Sequence, residues 1–263
     1  MSGDDGHRYV IAGGAQGVDR LRVLGRIVAP TTRALLERAG VRPGMTCLDI
    51  GCGGAVAGPA GRVVGLDADA TAIGLARQAA ASSGLGPVEF RVGAAGQGEA
   101  TAEYDVVYAR FLLTHLGDPG AAVAWMLAQL RPRGLIVVED IDVHGHFCDP
   151  PNAAFERYRV LYTELVQRQG ADPFIGPRLP GLLFAAGCDD VAMHVVHPAG
   201  LDPDVKLMAP LTAEAIAARL ESAGLASHSE VDALVRDLHA FAREPRSIMS
   251  LPRIVQAWGR APG

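Results

Sequence analysis

Apolar positions along this chain alternate between two rhythms. Short apolar runs at 46–50 ("TCLDI"), 62–66 ("RVVGL"), 88–92 ("VEFRV"), 104–108 ("YDVVY") and 135–140 ("LIVVED") read as strands. Helical spacing fills most of the gaps. Over 71–83, Ile73, Ala76 and Ala80 share a face, with Gly84 behind them; over 119–130, Val123, Met126, Leu127 and Leu130 form a stripe that Asp118 caps and Pro119 opens. Upstream, 17–39 reads as helix, with Leu21, Leu24 and Val28 on one side, a restart at Pro30 and a stop at Gly40. Apolar strands alternating with helices predict a parallel sheet covered on both faces.

After residue 150 the rhythm changes. Phe155, Tyr158, Tyr162, Leu165 and Val166 predict one helix, and Leu179, Leu182, Leu183 and Ala186 another that ends at Gly187. A strand follows at 190–196, then helices over 213–222 and 228–242, the second opened by a capping box of Ser227 and Glu230. A last strand is expected at 253–258. This divides the chain into an N-terminal helical cap, 1–40, and one domain, 41–263, with helical inserts near 150–180 and 200–245 available to cover a cleft.

Composition narrows the partners. The net charge of −5, with no run of Lys or Arg, argues against nucleic acid, which requires a basic footprint. Cys47, Cys52, Cys148 and Cys188 contain no CxxC pair and suit the reduced thiols of a cytoplasmic protein. No apolar run reaches membrane-spanning length, and the first residues carry acids where a signal peptide carries bases. A soluble cytoplasmic enzyme is expected, with no membrane partner and an oligomeric state that the sequence leaves open.

The stretch "LDIGCGGAVAGPAGRVVGLDAD", 48–69, carries the chemistry. A dinucleotide site needs G-x-G-x-x-G, and counting from Gly51 gives Gly51, Gly53 and then Val56, so that fingerprint fails. The alternative places an acid two positions before the first glycine, as Asp49 is, and another at the end of the second strand, as Asp67 is. With "CLDIGCGG", "RVVGLDAD", "YDVVYARFLLTHLGDP" and "LRPRGLIVVED" in order, the chain resembles the class I S-adenosylmethionine (SAM)-dependent methyltransferases, firmly over 40–142. The resemblance implies an α/β, Rossmann-like fold: a seven-stranded, mostly parallel sheet with its last strand antiparallel, and SAM across the strands' carboxyl ends. It implies cofactor contacts from Asp49, Gly51, Gly53, Asp67 with its neighbour Ala68, Ala94, Arg110 and Phe111. Asp67 suits the ribose hydroxyls because a carboxylate offers two coplanar acceptors. Its alternative is a strand-end acid capping the next helix.

Two departures from the family pattern stand out. Where an acid usually holds the adenine amino group, this chain has Ala94 or Ala95, which leaves backbone and apolar contact for the base. The connection from Gly51 to Gly61 has eleven residues, five of them Gly and one Pro. Fully extended it can span roughly 36 Å, but Gly and Pro cost about 1 and 3 kcal/mol each inside a helix, so it cannot hold the crossover helix. Our reading is that a mobile, helix-long segment is missing from the sequence here, which a Cα step well beyond about 3.8 Å between Gly53 and Gly58 reveals. The rival is a true deletion, which predicts weak SAM affinity.

Methyl transfer is an in-line displacement, and a base is needed only where the acceptor must lose a proton. Candidate bases follow the fourth and fifth strands. They are His115 in "ARFLLTHL", which can equally pack or cap a short helix, and His144 and His146 in "EDIDVHGHFCDPP". There Asp140, Asp142, His144, His146 and Cys148 alternate, so an extended chain puts them on one side; substrate contact, plain loop structure and a metal site are the readings, and we expect no metal. Tyr9 and Arg20 are placed to fold over the cofactor and meet the SAM carboxylate, Arg20 being equally at home on a solvated helix face, and Tyr158 and Tyr162 serve either as core or against an aromatic substrate. The expectation is methyl transfer to a small, secondary-metabolite acceptor. The alternatives are a SAM-fold protein that binds ligand without catalysis and, disfavoured by Val56, an NAD-dependent oxidoreductase.

Overall fold

The computed structural model describes residues 15–52, 61–83 and 88–263. Its elements follow in the order α1 (Ala15–Ala39), β1 (Thr46–Ile50), β2 (Arg62–Asp67), α2 (Ala70–Ser83), β3 (Val88–Val92), β4 (Tyr104–Arg110), α3 (Pro119–Ala128) and β5 (Leu130–Asp142). Then come β6 (Cys148–Asp149), α4 (Ala153–Arg168), α5 (Leu179–Ala185), β7 (Asp189–Val196), β8 (Ala199–Gly200), α6 (Pro203–Ser222), α7 (His228–Arg243), β9 (Ile248–Ser250) and β10 (Arg253–Arg260). The main sheet has seven strands in the order β3-β2-β1-β4-β5-β10-β7. β1 to β5 pair in parallel, and β10 runs antiparallel to both β5 and β7. This is the expected seven-stranded, mostly parallel architecture with an antiparallel last strand.

The two-residue period of the strands sorts the core into two layers. Leu48, Ile50, Val107, Ala109, Ile136 and Val138 pack with α3 and α5. Their chain neighbours Cys47, Val106, Tyr108, Leu135 and Val137 pack with Leu35, Leu36 and Ala39 of α1. A separate apolar cluster joins α4, α6 and α7 through Phe155, Leu165, Ile216, Leu234 and Leu238, while Val23, Leu24 and Val28 of α1 pack against Val205 and Met208 of α6.

Several boundaries differ from the sequence reading for identifiable reasons. α1 continues through Pro30 instead of restarting there, because its two halves are buried against α6 and against the sheet, which outweighs the backbone bond a proline removes. α6 begins ten residues before the expected 213: Pro203 takes its first position behind the Asp202 cap, and Pro210 lies inside. α3 stops at Ala128, because Leu130 opens β5 and pairs with Tyr104. The small sheet of β6, β9 and β8 was not predicted; strands of two or three residues are too short to show a period.

The connection between β1 and β2 leaves from the strand tips, where Gly51 N donates to Leu66 O at 2.8 Å, and re-enters at the opposite end, where Gly61 N donates to Met45 O at 2.8 Å. A Cβ on Gly61 would meet the Gly44 backbone at 2.7 Å, so only glycine fits this re-entry. The Gly53–Gly58 separations that distinguish a missing segment from a true deletion lie outside the described residues.

Candidate active site

A cleft opens over the carboxyl ends of β1 to β4, lined among others by Gly51, Asp67, Ala68, Ala94, Ala95 and His115. In open α/β sheets ligands bind at this edge, because helix N-termini and strand-end loops converge there. Gly51 has φ +70°, and a Cβ on it would come within 3.1 Å of Leu112 Cδ1, another cleft residue. Glycine therefore serves both the turn and the width of the cleft.

Asp67 ends β2 and faces this cleft. Its Oδ1 accepts from Asp69 N at 2.9 Å. The N-terminus of α2 is capped instead by Asp69, whose Oδ1 accepts from Thr71 N at 2.7 Å and Ala72 N at 3.3 Å. The helix-capping alternative for Asp67 is thus filled by a different residue. Beyond it the wall is Gly93, Ala94 and Ala95, an apolar surface that a flat heteroaromatic base can cover while backbone groups supply polar contacts.

Behind the strand tips lies a buried polar network. Glu139 accepts from Thr32 Oγ1 at 2.5 Å, Tyr108 OH at 2.5 Å and Gln256 Nε2 at 2.8 Å, which ties α1, β4, β5 and β10 to one carboxylate. Burial, and then the Glu139 charge, holds the Tyr108 hydroxyl well above its ordinary value. Arg110 Nη1 reaches Thr32 Oγ1 at 3.4 Å. Asp49 is buried in β1 beside Tyr108 of β4, and its charge reaches Arg110. Neither Asp49 nor Arg110 lines the cleft, although Ile50 and Gly51 do. Phe111 follows with φ +53°, a left-handed conformation that is uncommon for an aromatic residue, and packs against the α4–α6–α7 cluster and the α1–α6 contact.

A short 3-10 turn at Leu113–His115 presents His115 to the cleft. Asp140 at the end of β5 fixes this turn by accepting from Thr114 N at 3.0 Å, while its other oxygen accepts from Ile141 N at 2.8 Å. Burial pushes the Asp140 carboxyl up to about 7 despite these backbone donors. The His115 imidazole is held down at about 3, first by burial and then by the charges of Arg20 and Arg219, so it is neutral. Arg20 Nε donates to Thr212 Oγ1 of α6 at 2.9 Å.

The residues after β5 do not form the one-sided row that alternation predicts, because β5 ends at Asp142 and a 3-10 turn occupies Val143–Gly145. His144 lies outside that row, its side chain 67% exposed. It stacks on Phe174 with centroids 4.0 Å apart, and its Nδ1 is 3.0 Å from Asp142 Oδ1. Burial alone would raise Asp142, but Arg253 and His144 together hold it below its ordinary value. His146 is buried with its ring edge-on to Phe155 at 4.7 Å and Tyr158 at 5.8 Å, and burial holds it down at about 3. Among the described residues no group of three or more His, Cys, Asp or Glu side chains is placed to hold a metal ion, and no helix is long and apolar enough to cross a membrane.

The structure therefore brings Gly51, Asp67, Ala68, Ala94 and His115 to one cleft, with Asp49, Arg110, Phe111, Arg20, His144 and His146 outside its lining. Tyr9 and Gly53 lie outside the described residues. The sequence reading missed Glu139, Thr32 and Arg219, and named Asp140 only as a member of the alternating row rather than as the residue that fixes the His115 turn. Only the two acids carried a signal, being charged residues inside an otherwise apolar strand.

Residues 42–170 match a family model described as a methyltransferase domain. Nocamycin O-methyltransferase of Saccharothrix syringae is 37% identical over 116 residues, covering 41% of this chain and 41% of that protein. The chain spans less than half the length of the curated relatives it matches. Among solved structures, phosphoethanolamine N-methyltransferase 2 of Haemonchus contortus, in complex with phosphomonomethylethanolamine and S-adenosylhomocysteine, matches with a TM-score of 0.58 at 16% identity, over 92% of this chain and 57% of that one. The [4+2]-cyclase SpnF matches with a TM-score of 0.55 at 18% identity, over 96% of this chain and 97% of that one. At these identities the structural likeness is one of fold.

Proposed function

Through residues 42–170 the chain belongs to the class I SAM-dependent methyltransferases, and from that membership we propose that it transfers a methyl group from SAM to a small-molecule acceptor, in the niche of secondary metabolism. The observation that carries this reading is Asp67: a carboxylate at the tip of β2, facing a cleft, with the capping of α2 assigned to Asp69. The donor set fits the cofactor. Asp67 offers acceptors for ribose hydroxyls, Gly51 leaves room at the turn, and Gly93 to Ala95 form an apolar wall for the base.

SAM supplies an electrophilic methyl group on a sulfonium. The chain binds, orients and excludes water, and collinear positioning accounts for much of the rate. On this reading helices α1, α4, α6 and α7, which pack on one another, cover the acceptor, and His115, neutral and held by the Asp140-fixed turn, lines the cleft it enters. His115 is the first candidate to touch the acceptor. His144, oriented by Asp142, is a second candidate base, whereas His146 is enclosed by aromatic rings and serves packing.

Calorimetric titration tests the cofactor assignment. Asp67→Ala is expected to weaken SAM by about 1–3 kcal/mol, and unchanged affinity removes Asp67 from the site. A second reading, ligand binding without turnover, is favoured by the short, glycine-rich sequence of the Gly51–Gly61 connection. Incubation with labelled SAM and a metabolite panel separates the two, since cofactor binding with no labelled product supports the second.

A further inference from the structure

Among the described residues, the main sheet ends at β7 on an open edge. β7 is bonded to β10 on one side only, and an edge strand presents a row of outward N–H and C=O groups to whatever can pair with them. Natural edges are blunted by shortness, by Lys or Pro, or by inward-pointing charge. β7 has eight residues, and its acids, Asp189 and Asp190, both stand at its start, where Arg133 binds them at 3.0 and 3.1 Å. From Val191 to Val196 the run is Val-Ala-Met-His-Val-Val, with neither Lys nor Pro and with His194 as its one ionisable side chain. The irregularity in the β10 pairing falls between Trp258 and Arg260, opposite the acidic start, and leaves Ala192 to Val196 in regular register.

One face of this edge is apolar and uncovered. Val195 pairs with Val255 and Met193 with Ala257, and both partners belong to the core layer of α3 and α5, so Val191, Met193 and Val195 share the α5 side. The cover stops short there: Met193 is 49% and Val195 41% exposed, and Phe184 of α5, the helix that packs on β7, is 62% exposed. Past the strand's end His197 holds Phe147, itself exposed, edge-on at 5.4 Å. An exposed apolar row joined to an open strand edge marks a protein interface.

We propose that this edge pairs with the same edge of a second copy of the chain, antiparallel about a two-fold axis at Met193, so that the two sheets become continuous. The strand's own sequence selects a copy as the occupant. On that axis Val191 meets the partner's Val195, Ala192 meets the partner's His194, Met193 meets its own counterpart, and Asp189 meets the partner's His197. Each acid so placed faces an imidazole, and no like charges are opposed. An axis one residue on, at His194, would set two imidazoles against each other. A two-fold axis perpendicular to the sheet keeps both apolar rows on one face, where each copy also brings α5. β10 and β5 separate β7 from β4, so the cleft over β1 to β4 stays open in the dimer.

Sedimentation equilibrium on the full chain at micromolar concentration is expected to give the mass of two chains. Met193→Lys combined with Val195→Lys places charge on both sides of the axis. It should weaken the dimer on the order of a hundredfold, with an unchanged far-UV circular dichroism spectrum. Met193→Cys should form an intermolecular disulfide under mild oxidation, because directly opposed strand residues lie within the Cα separation a disulfide spans. Val160→Cys, equally exposed but on α4, should not. A chain that sediments as a monomer overturns the proposal. So does a dimer that the two lysines leave intact, or that Met193→Cys fails to lock, since the copies then meet elsewhere. Should the double variant misfold, the cross-link and its Val160→Cys control decide by themselves. None of these measurements involves the cofactor, so the dimer and the methyl-transfer reading fail separately.

Discussion

Asp140 and His146 are buried and His115 is half-buried at the cleft, and the three affect stability in opposite directions. Asp140 is raised to about 7 from 3.8, so between those values the folded chain keeps a proton that the unfolded chain has lost, and stability falls as pH rises through that window. His115 and His146 are lowered to about 3 from 6.5. Between those values only the unfolded chain takes the proton, so stability falls as pH drops. Asp140→Asn isolates the first effect. Its absolute stability should decrease, because an amide NH2 must then face a backbone donor. Its unfolding free energy should nevertheless lack the decline between about pH 4 and 7, a difference in slope of up to about 1.4 kcal/mol per pH unit. Urea denaturation across that range measures it, and parallel slopes for the two proteins would refute the protonated Asp140. At this scale the sequence made Gly51 and Asp67 legible, because a glycine turn and a strand-end acid are local signatures. It made His146 misleading: an imidazole enclosed by Phe155 and Tyr158 looks in sequence like any loop histidine.

Among the elements, α1 depends most on distant partners. Its C-terminal half is anchored by the Thr32 hydroxyl on Glu139, 107 positions away in the chain, and its N-terminal half by Arg20 on Thr212, 192 positions away. Thr32→Val keeps the shape and removes one donor from a buried carboxylate, which costs roughly 1–3 kcal/mol. Equilibrium denaturation should show that loss together with weaker protection of α1 amides in hydrogen exchange. A change below a few tenths of a kcal/mol would mean that Tyr108 and Gln256 satisfy Glu139 by themselves. The helix caps were readable in advance. Asp118 accepts from Ala121 N at 2.9 Å, and Ser227 and Glu230 close their box on α7 as expected, since a cap is decided within four residues. The starts of α1's second half and of α6 were misread because proline signals a boundary locally, while burial on both sides carried the helix through Pro30 and Pro210.

For the molecule as a whole, cofactor binding and folding are linked. A ligand that binds only the folded chain stabilises it by RT ln(1 + [L]/Kd), about 2.7 kcal/mol at one hundred times Kd. S-adenosylhomocysteine should therefore raise the melting temperature, and at the same ligand concentration Asp67→Ala should lose part of the rise. No shift for the unmodified protein, at a concentration that saturates calorimetrically, would mean that the ligand also binds unfolded chain. The short connection bears on the same quantity, since a true deletion beside the cleft predicts a small shift from weak affinity.

The strand pattern, the Gly51 turn and the acid at Asp67 follow from the sequence because each depends on residues adjacent in the chain, whereas the antiparallel last strand was expected only from the motif resemblance, its direction being set by pairing with the distant β5 and β7. Which acids would be buried, which histidine would face the cleft and which arginines would gather on α1 and α6 was decided only by tertiary packing. Those outcomes depend on contacts between helices far apart in the chain, and on the desolvation that such contacts impose, and neither leaves a mark on the local order of residues.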